Sequence, residues 1–259
     1  YLAGKAYGMR TASGDFTPEE MQEAVRYCHE RGVKVYVTVN TLPRDEEMLQ
    51  LPKYLSALDE IGVDALILAD LGVLMLAKRY APHCEIHIST QTSIVNAQAA
   101  TAYHELGASR VVLARELTLE QIAYIRKNTP KDLELEAFVH GAMCMAYSGR
   151  CMISDYLAGR SSNRGNCAQP CRWSYNLMEE TRPGQFFNIT ETEKGTYILN
   201  ANDLCMAEHL KKLYDIGVSS FKIEGRAKTE YYVAVTANAY RGIVDSFKGA
   251  DDNWSAPAW

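Results

Sequence analysis

Nowhere in the 259 residues does an apolar run approach the roughly 20 positions that a bilayer-spanning helix needs. The opening YLAGKAYGMR has neither an initiator Met nor a basic-then-apolar signal pattern, so no secretory segment is legible. Basic charge is short as well: 27 Lys and Arg against 32 Asp and Glu leave a net charge of −5, which excludes a global field for recruiting nucleic acid. Any RNA contact must come from a local patch. No Gly-rich phosphate loop follows an apolar run, and no G-x-S-x-G appears. Neither His29-Glu30 nor His104-Glu105 continues into the H-E-x-x-H of a zinc protease. Seven cysteines is an odd number, which argues against a complete disulfide framework and for a reducing, cytoplasmic setting.

What is present is an ordinary globular composition, 47% hydrophobic and 23% charged, with a regular internal rhythm. ERGV (30–33), EIGV (60–63), ELGA (105–108) and DIGV (215–218) each close an amphipathic stretch and precede an apolar run. A Gly in that place ends a helix by taking a left-handed conformation. The runs VKVYVTV (33–39), ALILA (65–69), EIHIS (85–89), RVVLA (110–114), LELEAFV (133–139) and FKI (221–223) read as buried strands, and YLAG (1–4) as a seventh. Thr17-Pro18-Glu19-Glu20 and Thr118-Leu119-Glu120-Gln121 carry helix-start signals. Strand and helix alternate as in a parallel sheet. The expected fold is an α/β, TIM-like (β/α)8 barrel without its first βα unit, with a doubly wound open sheet as runner-up. The abrupt start and the turn-like end GADDNWSAPAW suggest a fragment. Residues 1–248 are expected to form the barrel, with an excursion at about 141–205 after the penultimate strand, and 249–259 a linker toward a further C-terminal domain.

Barrel enzymes carry their chemistry at the C-terminal ends of the strands. Here those ends read Asn40, Asp70, Ser89-Thr90-Gln91, Arg115-Glu116, His140 and Glu224-Gly225-Arg226. Glu136, His140 and Glu224 are the candidates for moving protons, since a carboxyl or imidazole beside a cavity can have a tuned pKa. Gln91, Arg115, Lys222 and Arg226 are the candidates for holding a substrate.

Five of the seven cysteines crowd into one region. The gaps run Cys144-x6-Cys151-x15-Cys167-x3-Cys171, and Cys205 lies 34 residues beyond. Packing explains Cys28 and Cys84, which sit in a helical stretch and beside a strand. It explains the other five poorly, because their neighbours are Gly, Ser, Arg and Asn. Only Cys167/Cys171 resembles a zinc knuckle, and a ferredoxin C-x2-C-x2-C run is absent. Spacing alone permits a soft metal and says little more. The segment around them also holds Arg150, Arg160, Arg164, Arg172 and Arg182, interleaved with Tyr147, Tyr156, Trp173 and Tyr175. Arg for phosphate and aromatics for stacking is how an unpaired loop of RNA is gripped. Arg160, Arg164, Arg172 and Trp173 are the RNA-binding candidates. Packing of the aromatics over the excursion itself is the competing reading.

The stretch EAFVHGAMCMAYSGRCMIS (136–154) resembles the signature of the collagenase-like peptidase family U32, through Glu136, Phe138, Gly141, Ala142, Cys144, Gly149, Cys151 and Ser154. The likeness continues through GKAYGMR, HISTQTS, SDYLAGRSSNRGNCAQPCRWSY, RPGQFF, GTYILNANDLC and SSFKIEGRAKTEYYVA, nearly the whole chain. The resemblance implies a [4Fe–4S] cluster held by Cys144, Cys151, Cys167 and Cys205, with Cys171 as spare and possible exchange partner of Cys167. AQPCRWSY and RPG…GTYI look most like the branch that hydroxylates a tRNA wobble uridine without oxygen, in the anticodon loop. For that branch the resemblance implies prephenate as co-substrate, a dicarboxylate suited to bidentate Arg. The alternatives are hydroxylation of rRNA or of a quinone precursor, peptidase activity, and a zinc-stapled scaffold.

Overall fold

The computed structural model describes residues 1–8, 15–144, 146, 150–162, 166–173, 176–178, 181, 183–184, 186–188, 203–225, 228–247 and 254–255. The framework begins with β1 (Leu2–Ala3), α1 (Pro18–His29), β2 (Tyr36–Val39), α2 (Asp45–Met48), α3 (Leu51–Ile61), β3 (Ala65–Leu68) and α4 (Leu71–Tyr80). It continues with β4 (Glu85–Ile88), α5 (Ala97–Glu105), β5 (Arg110–Val112), α6 (Leu119–Lys127) and β6 (Glu134–Gly141). After β6 come α7 (Ile153–Ala158), a hairpin of β7 (Asn176–Met178) and β8 (Phe186–Asn188), then β9 (Leu204–Cys205). α8 (Leu210–Ile216), β10 (Ser220–Ile223) and α9 (Glu230–Phe247) complete it.

The hydrogen-bonded order is β1-β2-β3-β4-β5-β6-β10, every pair parallel, with β9 added antiparallel beside β6. All seven expected strands are present, joined by the expected helices. Period-two alternation sorts the strands into two faces. Val37, Val39, Leu66, Leu68, Ile86, Ile88, Val111, Leu135 and Val139 join the buried cluster under the helices. Tyr36, His87, Arg110, Glu136, Ser220 and Lys222 alternate with them and face inward. The sheet is curled, not flat: the Tyr1 hydroxyl lies 2.5 Å from Glu136, and Lys222 Nζ sits 3.6 Å over the Tyr1 ring. The start of the first strand thereby meets the sixth and the last. This is a partial α/β barrel.

The punctuation works as the sequence implied. Gly32, Gly62, Gly107 and Gly217 all have positive φ, between 67° and 103°. Thr17 and Thr118 each form a reciprocal capping box, with Glu20 and with Gln121. Several strands are shorter than their apolar runs, and for β2 and β5 the local reasons are visible. Val33 N–H closes the turn after α1 onto Cys28 O, and Val35 N–H is taken by the Asp64 carboxylate at 2.6 Å, so β2 begins only at Tyr36. Ala114 N–H turns away to Ile94 O, which ends β5 early.

Candidate functional site: the thiol-bearing end of the barrel

The C-terminal ends of the strands gather polar side chains that mostly bind one another. Asn40 Nδ2 donates to Ser89 Oγ at 3.0 Å. Asp70 caps α4 by accepting from Val73 N–H. Gln91 lies half-buried in a short 3-10 turn, Thr90–Thr92. Arg115 is nearly buried: it pairs with Glu224 at 3.1 Å, donates to the Ala142 carbonyl, and lies 3.7 Å over the Phe138 ring. Gly141, at φ 114°, is the residue against which Glu224 packs; a Cβ there would stand 2.6 Å from Glu224 backbone. Together Arg115 and Glu224 clamp the backbone where it leaves β6 for Cys144.

Glu136 and Lys222 sit lower, inside the barrel. Glu136 is fully buried and accepts from Lys222 (2.7 Å), Ser220 (2.8 Å), Tyr1 and Arg110 (3.4 Å). Burial pushes its carboxyl up, but Lys222 and then the hydroxyl donors outweigh it and hold the group at about 2. Burial presses the Lys222 ammonium down, and Glu136 opposes that. Such a carboxylate stays charged and holds the barrel interior; this placement suits it to scaffolding more than to the proton transfer and substrate contact expected of the pair. Nearby His87 is lowered to about 4 by burial and then by Arg110, so its ring is neutral.

His140 closes β6 between two tyrosines of α9. Its Nε2 is 2.9 Å from Tyr232 Oη and its Nδ1 is 3.2 Å from Tyr240 Oη. Burial holds it below its ordinary pKa, with Asp203 opposing. Neither tyrosine was singled out from the sequence. The available signal was their spacing in TEYYVAVTANAY: positions eight apart share one helix face.

The cysteines follow from β6. All seven are free thiols. Cys84 is buried, donates to Val63 O, and is pushed up to about 12 by burial and then Asp59, which makes it an inert packing thiol. Cys205 lies in β9 opposite His140, and Cys144 is exposed three residues beyond Gly141, so both belong to the end of β6. Cys151 and Cys167 flank α7, and two serines tie their segments together. Ser162 Oγ donates to Cys151 O at 2.7 Å, and the fully buried Ser154 Oγ accepts from Ala168 N–H at 2.9 Å. Gln169 N–H points at Cys167 Sγ, 3.3 Å away. Among the described residues, no group of three or more His, Cys, Asp or Glu is gathered tightly enough to hold a metal ion. In chemistry, the thiols are donors that a soft metal takes, and one of them, Cys167, already accepts a backbone N–H.

Of the RNA-binding candidates, Trp173 is exposed and Arg160 Nε donates to Asn166 Oδ1 at 2.9 Å. Arg172 ends a 3-10 turn, Pro170–Arg172. Arg164 and the substrate candidate Arg226 lie outside the described residues, as do Tyr147, Tyr175 and Arg182. Among the described residues, no helix is long and apolar enough to cross a membrane.

These features describe a class of protein: a partial α/β barrel with two exposed free thiols, Cys144 and Cys205, beside the C-terminal end of β6. Comparison with known proteins makes this specific. The profile of Peptidase family U32 matches residues 1–258, and the chain belongs to that family. It is 38% identical over 254 residues to tRNA hydroxylation protein P1 of Bacillus subtilis, covering 98% of this chain and 60% of that protein. It is 38% identical over 246 residues to the 23S rRNA 5-hydroxycytidine C2501 synthase of Escherichia coli, covering 95% of this chain and 36% of that protein. The chain thus spans about 60% or less of these relatives' lengths. The solved structure of the U32 peptidase Mk0906 superposes with a TM-score of 0.54 at 15% identity, over 88% of this chain and 85% of that one, a likeness of fold.

Proposed function

We propose that this chain is the barrel of an RNA hydroxylase that converts a tRNA wobble uridine to 5-hydroxyuridine without molecular oxygen, with prephenate as co-substrate and a [4Fe–4S] cluster on Cys144, Cys151, Cys167 and Cys205. The sheet is then a (β/α)8 barrel short of its first βα unit. The observation that carries the reading is two pairs of thiols along the chain that leaves β6: Cys144 and Cys205, which flank the end of β6 and its β9 partner, and Cys151 and Cys167, whose segments are tied together through Ser154 and Ser162. Relatives named for tRNA hydroxylation and for 5-hydroxycytidine synthesis in rRNA support RNA as the substrate class. When bound, the cluster supplies electron relay or Lewis acidity.

The chain's own residues do the rest. Arg115 and Glu224 hold the β6 exit in place, since each already has the other as partner. Prephenate carboxylates are assigned to Arg226 and Gln91, next to that pair in the chain or in the sheet order. His140, held below its ordinary pKa by burial and bonded at Nε2 to the Tyr232 hydroxyl, is the group suited to exchange a proton near the cysteines. Trp173 and Tyr156, both exposed, offer stacking faces to an unpaired base.

The test is anaerobic purification with iron, sulfide and zinc measured. A brown protein with about four irons and four sulfides per chain is expected. Ala at Cys144, Cys151, Cys167 or Cys205 should abolish the colour, while Cys171→Ala keeps it. Stoichiometric zinc in a colourless protein overturns the redox reading.

A further inference from the structure

Four groups form one line from the surface of α9 to a thiol. Tyr232 Oη lies 2.9 Å from His140 Nε2, His140 Nδ1 lies 3.2 Å from Tyr240 Oη, and Tyr240 Oη lies 3.8 Å from Cys205 Sγ. Counting hydrogens sets their directions. The single hydroxyl hydrogen of Tyr240 is donated to Val139 O at 2.8 Å. Its oxygen therefore accepts from His140, whose Nδ1 carries the ring hydrogen. The Nε2 lone pair of that neutral ring then accepts from the Tyr232 hydroxyl.

One further contact makes this arrangement switchable. Val139 O already accepts Met206 N–H, also at 2.8 Å. The Tyr240 hydrogen can leave that carbonyl without orphaning it. A neutral Cys205 thiol makes no demand on the hydrogen. A thiolate does, because it is a pure acceptor, and the Tyr240 hydroxyl is within reach.

We infer that Tyr240 donates a hydrogen bond to the Cys205 sulfur once that sulfur is a metal-bound thiolate, and that His140 and Tyr232 are positioning residues that keep the hydroxyl hydrogen available for it. The inference rests on the cluster assignment above. With His140 donating into the phenol oxygen, the imidazole does not compete for the hydroxyl hydrogen. Tyr232, by occupying Nε2, holds the ring in that tautomer. A hydrogen bond to a ligand sulfur stabilises the more negative, reduced state of a thiolate-held metal centre. Tyr240 thereby links the last helix to the redox poise of the pole.

The experiment is a redox titration, followed in the visible spectrum, of the anaerobically reconstituted chain and its Tyr240→Phe and Tyr232→Phe variants. Tyr240→Phe should keep its iron and shift the reduction equilibrium about tenfold toward the oxidised centre, about 59 mV for one electron. Tyr232→Phe should shift it the same way without touching Cys205. Freed at Nε2, the ring can move its hydrogen there, and Nδ1 then captures the Tyr240 hydroxyl. A purely structural role for Tyr232 predicts no change. An iron-loaded Tyr240→Phe with the wild-type potential overturns the inference while leaving the cluster reading intact. If Tyr240→Phe does not fold, Tyr232→Phe at the helix surface decides the matter by the same measurement. A wild-type chain that takes up neither iron nor sulfide overturns the cluster reading and this inference together.

Discussion

Replacing Lys222 by Met removes the cation that faces Glu136 Oε1 at 2.7 Å and leaves a fully buried carboxylate with donors on its other oxygen. Breaking a buried pair from one side costs about 3–5 kcal/mol. Three donors remain, so the lower end applies. Linkage gives a similar figure: a carboxyl at about 2 in the fold, against an ordinary value of 4.5, amounts to roughly 3 kcal/mol. For a domain of this size that lowers the melting midpoint by about 6–12 °C. The pH dependence has a definite sign. Because the folded value is depressed, the stabilisation is complete above about 4.5 and is lost as pH falls toward 2. Lys222→Met should therefore flatten the acid limb of the stability curve as well as lower its plateau. Glu136→Gln combined with Lys222→Met should recover part of the loss, since an uncharged replacement leaves no ion stranded. The assay is urea unfolding of the metal-free, reduced chain by circular dichroism between pH 3 and pH 8. A Lys222→Met protein within about 1 kcal/mol of wild type, with an unchanged acid limb, would refute the scaffold argument and return Lys222 to substrate binding.

Other expectations follow from the same geometry. Gly141→Ala should fail to fold stably, because its φ of 114° and the 2.6 Å approach of Glu224 leave no room for a Cβ; soluble yield and melting report it. Glu224→Gln should weaken the hold on Arg115 and loosen the β6 exit, read as faster proteolysis near residues 142–152 and a loss of about 1–3 kcal/mol. Thr17→Ala and Thr118→Ala should each cost about 1 kcal/mol, and their sum should appear in the double variant because the two caps are independent.

The barrel was legible because its signals are local. A Gly one to three residues after a helix, a Thr-x-x-Glu/Gln start and an apolar run each carry their meaning within one turn of chain. All seven strands followed from them. The site was harder to read because depth along a barrel strand is not a local property. Glu136 and Lys222 share the inward parity of His140, but they sit lower and meet Tyr1 across the interior, which only the curl of the sheet reveals. Arg115 looked available for a ligand because its partner Glu224 is 109 positions away. Tyr232 and Tyr240 read as ordinary helix residues, since nothing in α9 announces that β6 ends beside it.

The brief antiparallel pairing of β9 with β6 has a consequence for how such a chain can change. The polypeptide leaves the barrel at Gly141 and comes back to the same spot, Leu204 lying opposite Gly141 and Cys205 opposite His140. Everything between departs from and returns to one doorway. The entropic cost of closing such a detour grows only with the logarithm of its length, about 0.6 kcal/mol per doubling. Residues can thus be added to or removed from its far side while the doorway, with Cys205 in its frame, stays where it is. Length on the far side, between Cys171 and Leu204, is free to drift, and the two-residue threshold is what has to be kept there.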